Sequence, residues 1–304
     1  MQFQKSRYGV VLFGFVIACL FIASPVFADA TAMRDQLQTL EKKYGGRIGV
    51  YALNTDNNAQ ITYHAHDRFP MFCTAKMMGV SAILQKSMTD PRLLQEKIHY
   101  RKQDLIEWSP ITKSHVLEGM TVSELCKATI TVSDNTAMNL LLKKLGGPAG
   151  LTAFAHSIGN QPFTLTSWWP NEAKWQWGDT QDTSTPYAMA HSLQKLALGN
   201  VLGLPQRTLL LAWLKGNKVG DARIRAGVPS GWVVADKTGT GFYDGAMGDI
   251  GIIWPPHCKP IVLAIYYVKN HKNAPKQQEI IADATRIVLN TFAQSDQCIY
   301  GKSI

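Results

Sequence analysis

Apolar segments near both ends of the chain have strand-like patterns, whereas the long segment between them has helical ones. Strands are predicted at 47–53, 61–64, 232–237, 248–254 and 261–268. Helices are predicted at 33–43 and 276–293, and helices with short loops fill 73–214. Because a strand buries its apolar face in a sheet, the distant strands must share one sheet, with a helical subdomain inserted between them.

The first 28 residues have the pattern of a secretory signal peptide. Lys5 and Arg7 precede an apolar run at 10–22, and the small residues that end at Ala28 suit a cleavage site. Cleavage there predicts a periplasmic or secreted protein with no membrane segment, since no later run is long enough to span a bilayer. Cys19 leaves an alternative open, because the residues before it resemble a lipid-attachment site.

The charge of the chain does not indicate a nucleic-acid partner. The net charge of +9 falls to +7 when the two basic residues of the signal peptide are removed. The remaining basic residues are spread along the chain rather than clustered, which is typical of a basic soluble protein. The length of 304 residues fits one large domain or two small ones, and we expect a monomer.

Cys73 and Lys76 begin an apolar run that predicts a buried helix. The run at 77–84 contains no helix breaker, and residues three apart on a helix lie on one face, about one turn from each other. A helix N-terminus and a nearby ammonium group both favour an anionic sulfur, so this pair could be a nucleophile beside its activator. The alternative is a core thiol near a solvated amine, which is the commoner meaning of such a pair.

Two later tripeptides, Ser133-Asp134-Asn135 and Lys237-Thr238-Gly239, favour the nucleophile. Ser-x-x-Lys, Ser-Asp-Asn and Lys-Thr-Gly, in that order, are the motifs of class A β-lactamases. The chain resembles this family over about 31–294, although Cys73 stands where the family has Ser. The resemblance implies a hydrolase that opens β-lactams through an acyl-enzyme, with no cofactor and no metal ion.

The resemblance also implies an α+β fold in a single domain at 29–304. A five-stranded antiparallel sheet flanked by helices would form the first subdomain, from 29–66 and 215–304. An inserted all-helical subdomain would comprise 67–214, and the site would lie in the cleft between the two. The ligand would be a small molecule, either a β-lactam or a peptidoglycan-like acyl donor.

Each motif residue acquires an expected role from the resemblance. Cys73 would attack the carbonyl, Lys76 would accept its proton or stay cationic beside a thiolate, and Ser133 would relay a proton to the leaving nitrogen. The expected substrate-binding residues are Asn135, Lys237, Thr238, Thr240, Arg223 and Trp108. Backbone N–H groups of Cys73 and Thr240 would stabilise the oxyanion.

Residue chemistry leaves alternatives for several of these positions. Ser133 and Asn135 lie where they could cap a helix, and Trp108 could pack in the core. Arg223 could be a solvated surface residue, although a planar guanidinium suits a bidentate carboxylate.

The sequence departs from the family where the hydrolytic water is held. The family uses a Glu and an Asn on an omega-shaped loop, and ungapped counting back from Asp182 gives Trp169 and Ala173 at those positions. The arginine that would pair with Asp182 is Ser167. Glu172 could reach the site only if the loop were re-registered. Apolar anchors for the loop could instead be Trp168, Trp169, Trp175 and Trp177.

This replacement predicts that Trp169 is buried near Cys73, in the space of the hydrolytic water. Three readings then compete for the function. The first is a hydrolase working through a Cys73 thioester with weak deacylation, the second is a protein that traps acyl donors covalently, and the third is a pseudoenzyme that keeps the fold for an interaction. The first is the favoured reading.

Export implies an oxidising compartment, so the mature cysteines need an assignment. Cys258 lies in a turn between two strands, and the last helix should return Cys298 to the same place. We expect a disulfide between them, the alternative being two surface thiols. The family resemblance would pair Cys126 with the position that Val80 holds, so Cys126 is expected to be an unbridged, buried thiol.

Overall fold

The longest strands lie near the two ends of the chain, and most of the helices lie between them. This computed structural model describes residues 25–175, 178–242, 245–269 and 274–299, without the side chains of 25–30, 172 and 173. In chain order the helices and strands are α1 Pro25–Tyr44, β1 Arg47–Asn54, β2 Gln60–Tyr63, β3 Phe69–Pro70, α2 Ala75–Ser87, β4 Lys97–Ile98, β5 Met120–Thr121, α3 Val122–Thr131, α4 Asn135–Lys144, α5 Gly147–Ser157, β6 Thr183–Ser184, α6 Pro186–Ala197, α7 Leu204–Lys215, β7 Val233–Thr240, β8 Met247–Trp254, β9 Ile261–Val268 and α8 Glu279–Ser295.

One sheet joins the strands from both ends of the chain, in the order β2-β1-β9-β8-β7. Every neighbouring pair is antiparallel, and β1 pairs with β9 from Arg47 to Asn54. The predicted α+β fold with a five-stranded antiparallel sheet is therefore confirmed. Two short pairings, β3 with β6 and β4 with β5, lie outside this sheet.

The sheet separates two hydrophobic cores. Side chains alternate along β9, so that Leu263 and Ile265 join the core formed with α1 and α8, whereas Ala264 and Tyr266 join the core formed with the inserted helices. Helix α2 lies within the second core and is buried on nearly every side.

Three element boundaries differ from the predictions. Helix α1 begins at Pro25, so it runs through the predicted cleavage site. Strand β7 continues to Thr240 because its pairing with β8 continues to Met247, which places Lys237 inside the strand rather than at its end. Cys73 lies in a 3₁₀ turn, Phe72–Thr74, which precedes α2, and not in the first turn of an α-helix.

The cysteines distant from the cleft pair as the sequence predicts. Helix α8 returns to the β8–β9 turn, and a disulfide joins Cys258 to Cys298 with a Cα–Cα distance of 5.9 Å. Cys126 is buried and unbridged, and burial raises the pKa of its thiol. Within the described ranges, no helix is long and apolar enough to cross a membrane. Most of the predicted signal peptide, with Cys19, lies outside those ranges.

Candidate active site

A tight 3₁₀ turn holds Cys73 against the end of β7. Thr74 closes the turn by donating its N–H and its hydroxyl to the Met71 carbonyl oxygen, at 3.0 and 2.6 Å. On the side of β7, a Cβ atom at Gly239 would lie 2.7 Å from Met71 O and 3.1 Å from Cys73 N. A side chain at Gly239 would therefore displace the turn. Because Gly239 has no side chain, Cys73 and Thr240 can border the same cleft.

Lys76 extends from the first turn of α2, and its side chain is fully buried. Its ammonium group donates to the Ser133 carbonyl oxygen at 2.7 Å, to Ser133 Oγ at 3.3 Å and to Asn135 Oδ1. A buried charge without partners would be strongly destabilising, so these three acceptors are needed to keep Lys76 in place. They also bring Lys76 to the Ser133 hydroxyl.

The turn between α3 and α4 separates a capping residue from residues that border the cleft. Asp134 caps α4 by accepting the N–H of Ala137 at 2.9 Å, and its other oxygen accepts the N–H groups of Ile111 and Thr112 at 3.0 and 2.9 Å. Ser133 has a φ of 60°, which turns the backbone sharply at this point. Asp134 therefore performs the capping, whereas Ser133 and Asn135, on either side of it in the sequence, border the cleft.

Lys237 approaches the same hydroxyl from β7. Its Nζ lies 3.1 Å from Ser133 Oγ and 2.9 Å from the Thr238 carbonyl oxygen, and the side chain is fully buried. Burial lowers the pKa of Lys237 to about 8, against an opposing attraction to the Cys73 thiolate. The Ser133 hydroxyl therefore lies between two lysine side chains, and Lys237 changes charge just above neutral pH.

The lysines also change the ionisation of Cys73, which is partly exposed to the cleft. Burial on its own would raise the pKa of the thiol. Coulombic attraction to Lys76 and Lys237, together with hydrogen bonding to Ser133 and Lys76, lowers that pKa below its ordinary value instead. The alternative of a core thiol near a solvated amine does not fit this environment, because Lys76 is fully buried.

Arg223 lies behind β7 and is only 4% exposed, so the surface alternative for it is wrong. It donates to the carbonyl oxygens of Gly239 and Gly248 at 2.6 and 2.8 Å and to Thr240 Oγ1 at 2.5 Å. A truncated side chain here would leave these acceptors without their donor. Arg223 therefore supports the end of β7 as well as bordering the cleft.

The cleft has a volume of about 450 Å³ and borders most of the predicted site residues. Trp108 lies at its rim, 60% exposed, and donates its indole N–H to the Val132 carbonyl oxygen at 2.9 Å, so it does not pack in the core. The cleft is lined by Cys73, Glu107, Trp108, Ser133, Asn135, Pro170, Val219, Arg223, Thr238, Gly239, Thr240, Gly241, Phe242, Lys276 and Gln278. We call the lining residues Ser133, Asn135 and Thr238, together with the buried Lys237 that contacts Ser133, the motif side of this cleft.

Pro170 also lines the cleft, and we call Pro170, the adjoining Trp169 and its hydrogen-bond partner Asn139 the loop side. Trp169 is 2% exposed, as predicted, and its ring centroid lies 5.6 Å from Lys76 Nζ. Asn139 fixes its backbone, accepting the Trp169 N–H at 3.1 Å and donating to its carbonyl oxygen at 2.8 Å. An aromatic ring therefore lies beside Lys76, at the position where the family resemblance expects a carboxylate.

Asp182 stabilises the loop although Ser167 stands where an arginine is expected to pair with it. Its Oδ1 accepts the backbone N–H groups of Thr166 at 2.7 Å and Ser167 at 3.1 Å. Trp168, by contrast, is 37% exposed, so it is not one of the buried apolar anchors expected for the loop. The side chain of Glu172, and all of Trp177, lie outside the described residues.

Sequence reasoning missed two buried carboxyl groups beneath the motif side. Asp236 accepts hydrogen bonds from Arg225 and Asn217, while Asp249 accepts the Ile224 N–H at 3.2 Å. Burial raises the pKa of both carboxyls, against the attraction of Arg225 for the first and of Arg223 for the second. A carboxyl in an otherwise apolar strand was the available signal for both positions.

Comparisons with known proteins agree with this geometry. The model of a family described as "Beta-lactamase enzyme family" matches residues 32–292. The chain is 42% identical to Beta-lactamase Toho-1 of Escherichia coli, over 96% of this chain and all of that protein.

Two solved structures share both fold and sequence with the chain. A beta-lactamase from Desulfarculus baarsii DSM 2075 has a TM-score of 0.84 and 45% identity, covering 85% of this chain and 96% of that one. A beta-lactamase from Streptosporangium roseum has a TM-score of 0.85 and 42% identity, covering 87% of this chain and 99% of that one.

Proposed function

Because the chain belongs to the class A β-lactamase family, we propose that Cys73 opens β-lactams by forming a thioester and that this thioester is released slowly. The buried ring of Trp169 beside Lys76 is the observation that carries the proposal. Every group expected to take part in acylation borders the cleft or contacts one that does, whereas the expected general base is an indole. Acylation should therefore be retained and deacylation impaired.

The proposed acylation starts from a Cys73 thiolate, which the two lysines favour. Its sulfur bonds to the β-lactam carbonyl carbon, and the ring C–N bond breaks. The leaving nitrogen takes a proton from Ser133 Oγ, which recovers one from Lys237 at 3.1 Å or Lys76 at 3.3 Å. The N–H groups of Cys73 and Thr240 would stabilise the oxyanion.

Substrate binding in this proposal uses the end of β7. The carboxylate of a β-lactam would bind to Lys237, Thr238 and Thr240, since Lys237 supplies a charge and the two threonines supply hydroxyl groups. Arg223 would add positive charge from behind the strand and hold Thr240 in position. Asn135 would bind the substrate amide, and Trp108 would cover the rim.

Deacylation in this proposal lacks a base on the loop side. A positioned general base typically contributes about 10²- to 10⁴-fold to the rate, and an indole cannot accept the proton of water. A thioester is more electrophilic than an oxygen ester, which offsets part of that loss. The second candidate function is a protein that binds β-lactams or peptidoglycan-like acyl donors covalently and does not release them. Burial of Trp169 favours this candidate too.

We further propose that residues 1–28 are removed as a signal peptide and that the mature monomer is periplasmic or secreted. The Cys258–Cys298 disulfide supports this proposal, because such bonds persist in oxidising compartments.

Intact-protein mass spectrometry after mixing with benzylpenicillin tests the proposed acylation. We expect one equivalent of mass increase, equal to the mass of the intact penicillin, and we expect none in Cys73→Ala. Loss of the adduct in that variant is the control that assigns it to the thiol. An adduct that persists in Cys73→Ala, or no adduct in the wild type, would refute the proposal.

A further inference from the structure

On the loop side, a buried indole lies beside Lys76, where the family resemblance expects a base for water. Trp169 is 2% exposed and its backbone is fixed by two hydrogen bonds to Asn139. A nucleophile arriving from that side would have to displace a packed indole that lies 5.6 Å from Lys76 Nζ. Attack by water that needs a base on the loop side is therefore unfavourable.

The motif side stays connected to the cleft. Ser133 borders the 450 Å³ cleft together with Cys73, and its hydroxyl lies within 3.3 Å of both Lys76 Nζ and Lys237 Nζ. In the proposed acylation, the leaving nitrogen departs along this path and receives a proton from Ser133. Microscopic reversibility then requires that the same path suits a nitrogen that arrives and gives up a proton.

The charge on Lys237 completes the path. Its pKa of about 8 allows it to be an ammonium group before acylation and a neutral amine after it has supplied the proton for the leaving group. A neutral Lys237 can then accept a proton through Ser133 Oγ at 3.1 Å. The acyl-enzyme is thus prepared for a nucleophile that carries a proton on nitrogen.

Resting on the proposed thioester, we propose that the natural reaction is transfer of the acyl group from Cys73 to the amine of an amino acid. The acceptor nitrogen bonds to the thioester carbonyl carbon, the C–S bond breaks, and Cys73 leaves as the thiolate. The proton lost by the nitrogen passes through Ser133 to neutral Lys237. This chemistry suits a thioester, since amines are stronger nucleophiles than water towards its carbonyl.

The carboxylate site selects the acceptor. When a linear donor loses an amino acid from its C-terminus, the hydroxyl groups of Thr238 and Thr240, with the charge of Arg223 behind Thr240, become available to the carboxylate of the next one. A β-lactam behaves differently, because its leaving nitrogen stays attached to the acyl group and keeps that site occupied. The same cleft would therefore transfer acyl groups from linear donors and be blocked by cyclic ones.

A linear thioester, N-benzoylglycyl thioglycolate, tests this transfer with glycine as the acceptor. We expect thiol release to become faster as glycine is added, and we expect N-benzoylglycylglycine to exceed N-benzoylglycine among the products. Glycolate has the carboxylate without the amine and should not accelerate release. Methylamine has the amine without the carboxylate and should give less amide product than glycine at equal concentration.

Two variants separate the outcomes. The double variant Trp169→Glu/Ala173→Asn adds a base for water on the loop side, so its ratio of amide to acid should fall by about 10²-fold. Cys73→Ala should give only the uncatalysed products. The transfer is refuted if the Cys73 adduct forms but decays only to the acid at every glycine concentration, or if Cys73→Ala makes the amide as fast as the wild type. Absence of any Cys73 adduct, with this donor and with penicillin, would instead refute the proposed function on which the transfer rests.

Discussion

The two sides of the cleft are built by different forces. On the motif side, buried ammonium groups are held by oxygen acceptors, and Ser133 Oγ lies between Lys76 and Lys237. On the loop side, Trp169 is held by apolar packing and by the side-chain amide of Asn139. The groups proposed to move protons in acylation thus differ from the residue that stands at the position of the expected base for water. One half of a covalent mechanism can therefore change while the other half stays assembled.

The largest expected effect comes from giving the loop side a base. Trp169→Glu combined with Ala173→Asn should shorten the lifetime of the penicillin adduct by about 10²- to 10⁴-fold, because a carboxylate near Lys76 can activate water. The lifetime is read from the decay of the adduct mass after free penicillin is removed. Trp169→Phe keeps an apolar ring and supplies the matched control, which should retain the long lifetime. Equal lifetimes in all three proteins would show that the loop side does not limit deacylation.

A smaller effect is expected on the motif side from Lys237→Ala. Hydrogen bonds to charged groups contribute about 1.5–3 kcal/mol, so the second-order rate of penicillin acylation should fall by about 10- to 100-fold. The lifetime of the adduct, once formed, should change little, because Lys237→Ala leaves the loop side without a base, as it is in the wild type. A variant that acylates normally but deacylates faster would reverse the assignment of the two sides.

The pH dependence of acylation should show the contribution of the motif side, because Lys237 and Cys73 both change charge with pH. Below pH 8 Lys237 is charged and can bind a carboxylate, and above its pKa of about 8 that charge is lost, so acylation should fall on the alkaline side. On the acidic side the rate should rise with pH as Cys73 ionises, at a pH below the ordinary range for a thiol. Stopped-flow acylation rates measure both limbs. In Lys237→Ala the alkaline limb should disappear, and its persistence there would assign it to another group.

The smallest effect on acylation and deacylation is expected from removing the disulfide, which lies away from both sides of the cleft. Cys258→Ser/Cys298→Ser removes a disulfide that closes 40 residues of chain, which should lower the free energy of unfolding by about 2–4 kcal/mol. Urea denaturation measures that loss. The adduct lifetime should stay unchanged, since neither cysteine borders the cleft. A changed lifetime would mean that the two sides are not independent of the rest of the sheet.

Much of this contrast could be predicted from the sequence. The order of the Ser-Asp-Asn and Lys-Thr-Gly motifs indicated which residues meet Cys73, and the substitution at Trp169 indicated that the loop side had changed. Loop geometry could not be predicted, because a backbone N–H carries no sequence signature. The bonds from Thr166 and Ser167 to Asp182 therefore appear only in the structure. The same holds for Arg223, whose burial depends on how β7 and β8 pair.

A burst experiment with nitrocefin tests the central claim most directly, because it observes both halves of the reaction in one trace. We expect a rapid change in absorbance equal to one turnover per enzyme molecule, followed by a steady-state rate at least about 10²-fold slower than the burst. Linear multiple turnover from the first second, with no Cys73 adduct in a sample quenched during the reaction, would contradict the claim that this protein acylates readily and deacylates slowly.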